Sequence, residues 1–448
     1  MKIQHNFFLQ EKKIKSIIEY ILNIVKSHSA EAEVLAYHNS GINLGIRNKI
    51  IDHVEFNKDN LITITIYKKN RKSTVSSKNF SIQAINKIIN FSIDAINYAS
   101  VDLCVGLPNL ELLAIGNLKD LNLYYHWKWD INYIVDLMLV AEQEAFKIDK
   151  RIINTEGFNF KSCMNMICFG NSSGMLESYK TTSYYFSNCM IAKENKDMQR
   201  DMFYTISRDI NDLVVPNIVG IESSNRALSR LHSQKLSSMN SPIIFSSELA
   251  SEFFSYFSKA INGFNVYNKS TFLLNSLEKQ VFPSWLSIEE HPHIKKGLGS
   301  RCFDSEGVRT FQKTIVKNGI LKTWILNNYS AKKMNLVSTS NAGGVHNWLM
   351  LGISDMNLNE LLMSMYKGVL ITELLGNGLN LITGDYSCGA VGFWIERGTI
   401  QYPVSEITIS GNLKDIFRNI VSIGNDIDKR HKILSGSILL PSIQISGL

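Results

Sequence analysis

Long runs of strand-forming residues, separated by tight-turn sequences, constrain the fold of this chain more than any other feature. Residues 162–170 and 175–206 have the pattern of long β-strands. Turns are expected at Asn171-Ser172-Ser173-Gly174 and at Glu194-Asn195-Lys196-Asp197, because these residue types favour turn conformations. Asp130 can cap a helix that precedes them. The centre of the chain is therefore predicted to be a helix followed by long antiparallel strands.

The region before about residue 109 is predicted to be a small α+β unit. Apolar residues alternate with polar or small ones over 42–47 and again over 62–66, which is typical of half-buried strands. Lys58-Asp59-Asn60 lies between them and indicates the turn of a hairpin. Ser81 has the position of an N-cap before a helix with a face of isoleucines.

The region after residue 241 contains many short strands and most of the glycines. Asn318-Gly319 predicts a type I′ hairpin, and an amphipathic helix is expected from Ser247 to about Ile261. Many short strands in one region favour a barrel-like domain. The predicted fold class is α+β, with an N-terminal domain at 1–109, a central domain at 110–240 and a C-terminal domain at 241–448.

Composition excludes several classes of protein. The net charge is +7 over 448 residues and no basic face is concentrated in the sequence, so a nucleic-acid partner is not expected. Charges interrupt every apolar stretch of the first 20 residues, and no apolar run approaches the roughly 18–20 residues of a membrane span. The six cysteines form no Cys-x-x-Cys pair, which fits a reducing compartment. A cytoplasmic protein without a membrane partner is predicted.

Two polar clusters are candidate sites. Glu289-Glu290-His291-Pro292-His293 offers carboxylate and imidazole ligands for a metal ion, but no third ligand follows from the spacing. Its alternative interpretation is a polar loop at a surface or an interface. Asp304, Glu306 and Arg309 form the second cluster, in which paired carboxylates serve acid–base chemistry or, alternatively, cap backbone N–H groups and pair with arginine.

Two glycine-rich loops complete the candidates. The loop 341–347 contains His346 and would let a ligand approach the backbone, but it has no phosphate-loop lysine. The segment 384–389 contains Asp385 and Cys388 and matches neither a nucleophile elbow nor a papain-type cysteine. The residues alone thus indicate a multidomain protein with a glycine-rich binding region and establish no enzyme class.

Several long stretches resemble the PmbA (TldE) branch of the TldD/PmbA family, and together they cover almost the whole chain. The most specific are Phe303-Asp304-Ser305-Glu306-Gly307-Val308-Arg309-Thr310 and Tyr402-Pro403-Val404-Ser405-Glu406-Ile407-Thr408-Ile409. The others are residues 154–157, 169–176, 226–231, 269–274, 288–293 and 411–415. The resemblance implies a cytosolic peptidase of two related subunits that trims leader peptides and degrades unstructured small proteins. In the TldD-type subunit a His-Glu-x-x-x-His helix and a later cysteine hold zinc.

This chain departs from that ligand pattern. The strand 242–245 and the helix after it match the region of the zinc motif, yet Ser247 and Glu252 stand at the histidine positions, and only Glu248 is retained. Ser435 stands at the cysteine position. A serine hydroxyl is a poor zinc ligand, so no cofactor is expected on this chain and zinc is expected on a TldD-like partner. The candidates for substrate binding or the subunit interface are His291, His293, Asp304, Glu306, Arg309, His346 and Asp385.

The leading hypothesis is a subunit without metal that completes a metalloprotease by binding its zinc-bearing paralogue and shaping a channel for unstructured peptides. The alternative is a non-catalytic protein that sequesters a small regulatory protein. A third possibility is an autonomous metal enzyme that uses Glu290, His291 and His293.

Overall fold

The structure, a computed structural model, describes residues 2–116, 118–127, 130–376 and 378–447. Within these residues the strands form three sheets, and helices pack on them, so the predicted α+β class is confirmed. None of the helices in this part of the chain has the length and apolar composition needed to cross a membrane.

The first sheet contains six antiparallel strands from both the N-terminal and the central regions. Their bounds are β1 Glu31–Arg47, β2 Ile50–Lys68, β3 Arg71–Ser77, β4 Ile152–Asn171, β5 Leu176–Glu194 and β6 Asp197–Ser207. Their order is β3-β2-β1-β4-β5-β6. The long central strands and both turns predicted around them are confirmed. The domain division stays a prediction, and the pairing of β1 with β4 places strands of its first two regions in one sheet.

The first hairpin turns at a different place from the one predicted. Strand β2 runs straight through Lys58-Asp59-Asn60, and Asp59 pairs with Asn39 of β1. The turn lies at Asn48-Lys49, where both residues have positive φ, 51° and 64°. The prediction of a turn at 58–60 is therefore wrong. The polar residues there reflect a stretch of β2 that is exposed to solvent, which needs no apolar side chains.

Four helices cover this sheet: α1 Lys2–Ser27, α2 Ile82–Ile96, α3 Ile131–Lys147 and α4 Pro216–Ser229. Helices α1 and α2 bury isoleucines against β1, β2 and β4, whereas α3 packs on the other half of β1 and β4. Both predicted N-caps are confirmed, because the Ser81 side chain accepts a hydrogen bond from the Ala84 N–H and that of Asp130 from the Asn132 N–H. Short 3₁₀ helices lie at Leu110–Leu112 and Ile210–Asp212.

The C-terminal region contains a closed barrel, as its many short strands predicted. Its five strands are β7 Met239–Phe245, β12 Lys367–Leu375, β13 Asp385–Glu396, β14 Thr399–Asn412 and β17 Ile438–Ser446. Pairing of β14 with β17 closes the sheet, and β15 Ser422–Ile423 is attached to β17.

A small sheet stands beside the barrel. It has the order β10-β9-β8-β11-β16 and consists of β8 Ser287–Glu290, β9 Lys313–Lys317, β10 Ile320–Leu321, β11 Trp348–Leu351 and β16 Ile433–Leu434. The predicted type I′ turn joins β9 to β10, with φ of 50° at Asn318 and 78° at Gly319.

Helix α5, Ser247–Ala260, connects the barrel to the small sheet. Its buried aromatic face packs among residues of both, since the Phe253 ring lies 5.4 Å from Phe245 of β7 and the Phe257 ring lies 6.0 Å from Trp348 of β11. The remaining helices are short: α6 Gly263–Tyr267, α7 Asn328–Lys333, α8 Leu358–Met365 and α9 Leu413–Arg418.

Candidate functional site

The beginning of α5 is the first candidate site, because it carries the residues that stand at the zinc-motif positions. Ser247 and Glu248 lie in its first turn and Glu252 lies one turn later. Strand β7 is held between β12 and β17 and leads directly into α5, so the barrel fixes where the helix starts. Helix α5 also contacts β16, which Ser435 follows directly. The two sequence segments of the motif therefore meet in space.

Two arginines bind the carboxylate of Glu248. Arg226 of α4 makes a two-pronged contact, with its Nη2 at 2.5 Å from Oε1 and its Nη1 at 3.0 Å from Oε2. Arg430 adds a third contact, from its Nη2 to Oε1 at 2.8 Å. Such paired, charge-assisted hydrogen bonds are among the strongest that side chains make. Glu248 is thus fully engaged by fixed cations.

Aromatic rings and a second carboxylate hold these arginines in place. The guanidinium groups of Arg226 and Arg430 lie 4.8 Å and 5.4 Å from the centre of the Phe203 ring. Arg430 also stacks over Tyr204 at 4.5 Å and pairs with Asp428 at 2.8 Å. The positive charges of the two arginines balance the negative charges of Glu248 and Asp428. A divalent cation placed here would therefore add positive charge without compensation.

The electrostatics of Glu248 follow from these contacts. Burial by itself would raise the pKa of Glu248, but the hydrogen bond and charge of Arg226 together with Arg430 lower it to about 2. The neighbouring His431 has its pKa lowered by burial, and its Nε2 lies 3.1 Å from the Tyr204 hydroxyl. Glu248 is therefore a permanent anion at neutral pH, and both of its oxygens are already held by guanidinium groups.

The other motif residues do not form a metal site either. Glu252 is exposed and accepts a hydrogen bond from the Tyr256 hydroxyl at 3.0 Å, while the buried Ser435 hydroxyl donates to the Gly436 carbonyl at 3.0 Å. Within the ranges that the structure describes, no group of three His, Cys, Asp or Glu side chains is placed to hold a metal ion. The donor set at α5 does not fit zinc, which binds nitrogen and sulfur ligands in a tetrahedral arrangement.

The glycine-rich loop 341–347 is tied down by a buried carboxylate. Glu290 is completely buried and accepts hydrogen bonds from the His346 N–H at 2.8 Å and from the Trp348 indole at 3.2 Å. It also forms a buried ion pair with Lys313 and accepts from the Asn341 amide. Burial opposes ionisation of Glu290, but Lys313 and His346 lower its pKa below the usual range. This network fixes the loop, and burial lowers the pKa of His346, whose Nε2 contacts the Ser340 carbonyl.

The two histidines of the 289–293 segment have separate partners. The His291 Nε2 contacts the Glu289 carboxylate at 2.8 Å, whereas the His293 Nε2 contacts the Thr310 hydroxyl at 3.0 Å. The other ring nitrogen of His293 lies 3.2 Å from the Lys119 ammonium. His291 and His293 are therefore used in local contacts, and the structure does not unite them with Glu290 around one point.

The acidic cluster of the 303–310 motif adopts the capping arrangement. The buried carboxylate of Asp304 accepts N–H groups of Glu306, Val308 and Ala342 at 2.9–3.0 Å. Burial nevertheless raises its pKa to about 6, and burial beside Asp304 raises that of Glu306 to about 8. Arg309 is exposed and donates to the Leu113 carbonyl at 3.3 Å.

Asp385 belongs to a different part of the molecule. It lies at the start of β13, where hydrogen bonds from Thr383 at 2.6 Å and Asn412 at 3.1 Å lower its pKa. Cys388 of the same strand is buried, with its sulfur 3.4 Å from the Leu375 carbonyl. The roles assigned to the candidate residues stay predictions. Only some of these residues lie close together in the fold.

Sequence reasoning missed the residues that define the α5 site. Arg226 lies in a stretch that carried the family resemblance, but nothing local marks it as a partner of Glu248. Arg430 and the rings of Phe203 and Tyr204 come from distant segments. The only available signal was the retained glutamate itself, since a buried carboxylate needs a cationic partner.

Known proteins of one family match this chain over nearly its whole length. Models of PmbA/TldA metallopeptidase domains match in three parts: domain 1 at residues 32–96, the central domain at 124–231 and the C-terminal domain at 238–447. A metalloprotease PmbA homolog of Buchnera aphidicola subsp. Baizongia pistaciae is 57% identical over 98% of both chains. The metalloprotease PmbA of Escherichia coli O157:H7 is 47% identical over 100% of this chain and 99% of its own.

A solved structure has the same fold. The crystal structure of a candidate modulator of DNA gyrase from Bacteroides thetaiotaomicron superimposes with a TM-score of 0.91 at 26% identity, and the match covers 97% of this chain and 99% of that one. Matches of this extent, in sequence and in fold, establish that the chain belongs to the PmbA/TldD metallopeptidase family.

Proposed function

We propose that this chain is the subunit without metal of a cytosolic two-component peptidase, in which a TldD-like paralogue supplies zinc. One observation carries the proposal: the Glu248 carboxylate is occupied by Arg226 and Arg430. The two guanidinium groups contact the carboxylate that, in the His-Glu-x-x-x-His pattern of a TldD-type chain, would serve as the proton shuttle of an activated water.

The chemistry of zinc hydrolases supports this division of labour. Water activation needs a cation held by about three protein ligands with one open position. Here Ser247, Glu252 and Ser435 stand at the ligand positions, and the latter two are hydrogen-bonded to their own helix or strand end. The fold around them is complete, with a closed barrel and an ordered loop 341–347, which favours a structural role beside a competent partner.

The substrates proposed are unstructured peptides and small proteins. An extended peptide can add as a strand to an open sheet edge, where it is bound through its backbone with little dependence on sequence. The barrel is closed, but the small sheet ends at β10 and at β16, and β16 lies against α5. A peptide held near this edge would lie beside the α5 site.

The decisive experiment follows a fluorogenic unstructured peptide with each purified chain separately and with both together. We expect this chain alone to cleave nothing and to hold no stoichiometric zinc. The mixture should form a stable complex whose activity a chelator abolishes and zinc restores through the partner. Chelator-sensitive cleavage by this chain alone, with contaminating proteases excluded, would overturn the proposal.

A second candidate is a binding protein that holds a small regulatory protein without cleaving it. The description of the Bacteroides relative as a candidate modulator of DNA gyrase favours this class of function. The same experiment separates the two, because a stable complex with the partner that cleaves no peptide, with or without zinc, would favour the second candidate.

A further inference from the structure

A cavity of about 300 Å³ lies between the six-stranded sheet and the segment 298–305. Its floor is one face of β1, β4 and β5, where Tyr37, Ile167 and Tyr179 stand in one cross-strand row and Asn39, Asn165 and Thr181 in the next. Small, partly apolar cavities of this size with a few polar groups are typical ligand sites.

Two arginines face this cavity without a carboxylate partner. Arg208 donates from its two terminal nitrogens to the carbonyls of Thr182 at 3.1 Å and Leu298 at 2.8 Å, but its Nε is buried and has no acceptor. The Arg301 side chain is half-buried and forms no hydrogen bond or ion pair with any residue that the structure describes. Burial and the nearby charge of Arg301 together lower the pKa of Arg208.

The carboxylate of Asp304 does not neutralise them. Asp304 also lines the cavity, but its two oxygens accept three backbone N–H groups, from Glu306, Val308 and Ala342. Its attraction for Arg301 is electrostatic only. The cavity therefore has a surplus of guanidinium donors, and leaving a buried donor without an acceptor is energetically unfavourable.

The cavity also presents an unused acceptor and an apolar wall. The Asn39 side-chain oxygen is buried and has no donor. Leu35 and Ile167 from the floor and Phe303 from the opposite segment supply apolar surface, and the Phe303 ring meets the Tyr179 ring edge-on at 5.1 Å. The C-terminal residue of a peptide has the groups that complement these: a carboxylate for the donors, an N–H for the acceptor and a side chain for the apolar wall.

We propose that this cavity binds the C-terminal residue of an extended peptide. The carboxylate receives hydrogen bonds from Arg301 and from the Nε of Arg208, and the last peptide N–H donates to Asn39. Guanidinium binds carboxylate in a planar, two-pronged geometry that lysine does not reproduce. That the ligand is a peptide rests on the proposed function, whereas its carboxylate end is inferred from the cavity alone.

The test measures binding to the full chain without partner or zinc. A fluorescently labelled, unstructured peptide lacking acidic residues is compared as its free acid, as its C-terminal amide and as an amide that carries one internal glutamate. We expect the free acid to bind about tenfold or more tightly than either amide, the size of effect that charge-assisted hydrogen bonds give. Inorganic phosphate, added as a competitor, should displace the free acid only at much higher concentration than an unlabelled free-acid peptide.

Variants assign the effect to the cavity. Arg301→Gln should reduce the preference for the free acid to below about threefold, and Arg301→Lys should retain part of it. Since the Arg301 side chain has no hydrogen bond to lose, both variants should melt as the parent does. Lys295→Gln removes an equal charge from an exposed position three residues before the segment 298–305 and serves as the control that keeps the preference.

Equal binding of acid and amide, a preference unchanged by Arg301→Gln, or tighter binding of phosphate than of the free acid would each overturn this inference. Equal binding of the free acid and the internal-glutamate amide would assign the cavity to acidic side chains and would also overturn it. Failure of the cleavage experiment with the partner leaves these binding results intact, so the two proposals fail separately.

Discussion

Glu248→Gln should destabilise the protein while leaving the peptidase activity of the assembled complex nearly unchanged. The substitution keeps the shape of the side chain and removes its charge. Arg226 and Arg430 then remain together in a partly buried place without their shared anion. Removing one partner of such a pair is costly, because the charges left behind are no longer compensated.

The magnitude follows from the pKa of the carboxyl group. Its pKa falls from the ordinary value of 4.5 to about 2. At about 1.4 kcal/mol for each pKa unit, this difference corresponds to about 3 kcal/mol. The side chain is 27% exposed, so solvent screens part of this energy and we expect a loss of about 2–3 kcal/mol near neutral pH.

The pH dependence gives the sharper signature. Because the folded-state pKa is lowered, the stabilisation is complete above pH 4.5 and is lost as the pH falls toward about 2. Urea unfolding of parent and variant, followed by fluorescence, should show a constant difference above that pH and a difference that shrinks by about 1.4 kcal/mol per pH unit below it. Glu252→Gln, on the same helix, is the matched control and should cost less than about 0.5 kcal/mol, because that carboxylate is exposed.

Two results would refute the reasoning. A stability difference that does not change between neutral and acidic pH would mean that the charge of Glu248 is not what the arginines stabilise. A fall of about a hundredfold or more in kcat of the complex, with both subunits folded, would return Glu248 to the role of a general base. A change in kcat within about threefold is expected instead, because Glu248 has no metal-bound water to deprotonate.

Other substitutions follow from the same contacts. Glu306→Gln should stabilise the protein by at least about 1 kcal/mol near pH 8, measured by thermal unfolding. Burial raises the pKa of Glu306 to about 8, so the stability that the parent has with this carboxyl group protonated is lost as the pH rises from 4.5. The advantage of the variant should therefore vanish below pH 4.5. Lys313→Gln should cost about 3–5 kcal/mol in urea unfolding, because Glu290 remains as a buried charge. Gly319→Ala should lower the unfolding temperature, since φ is 78° and an added Cβ would lie 2.3 Å from the Phe282 carbonyl; an unchanged melting temperature would exclude the strained turn.

Local signals predicted the local structure well. The long strands of the central region, the caps at Ser81 and Asp130 and the turn at Asn318-Gly319 all depend on residues within a few positions of each other. The turn expected at 58–60 failed because polar residues also occur on a solvent-exposed strand, and the pairing partner that decides between the two lies elsewhere in the chain. Closure of the barrel through β14 and β17 is likewise a long-range pairing that no local pattern encodes.

The candidate site was predictable only as far as its sequence motif extends. The placement of Ser247, Glu248 and Ser435 in one region followed from the family resemblance, and their segments do meet. The partners of Glu248 did not follow from it, because an arginine next to a carboxylate in space has no fixed spacing in sequence. Arg208 and Arg301 were missed for the same reason, since a cavity between a sheet face and a distant segment is defined only by the folded chain.

The charges of the two sites lead to one conclusion about the ligand. At α5, Glu248 is neutralised by Arg226 and Arg430, so the carboxylate that could attract a cation is already satisfied. In the cavity, Arg301 has no ion pair within the described residues and the Nε of Arg208 has no acceptor. A site whose cations have no ion pair favours an anionic ligand over a metal ion. This distribution supports the proposed division of labour, in which the partner would contribute the metal and this chain the guanidinium groups that hold the carboxylate end of the substrate.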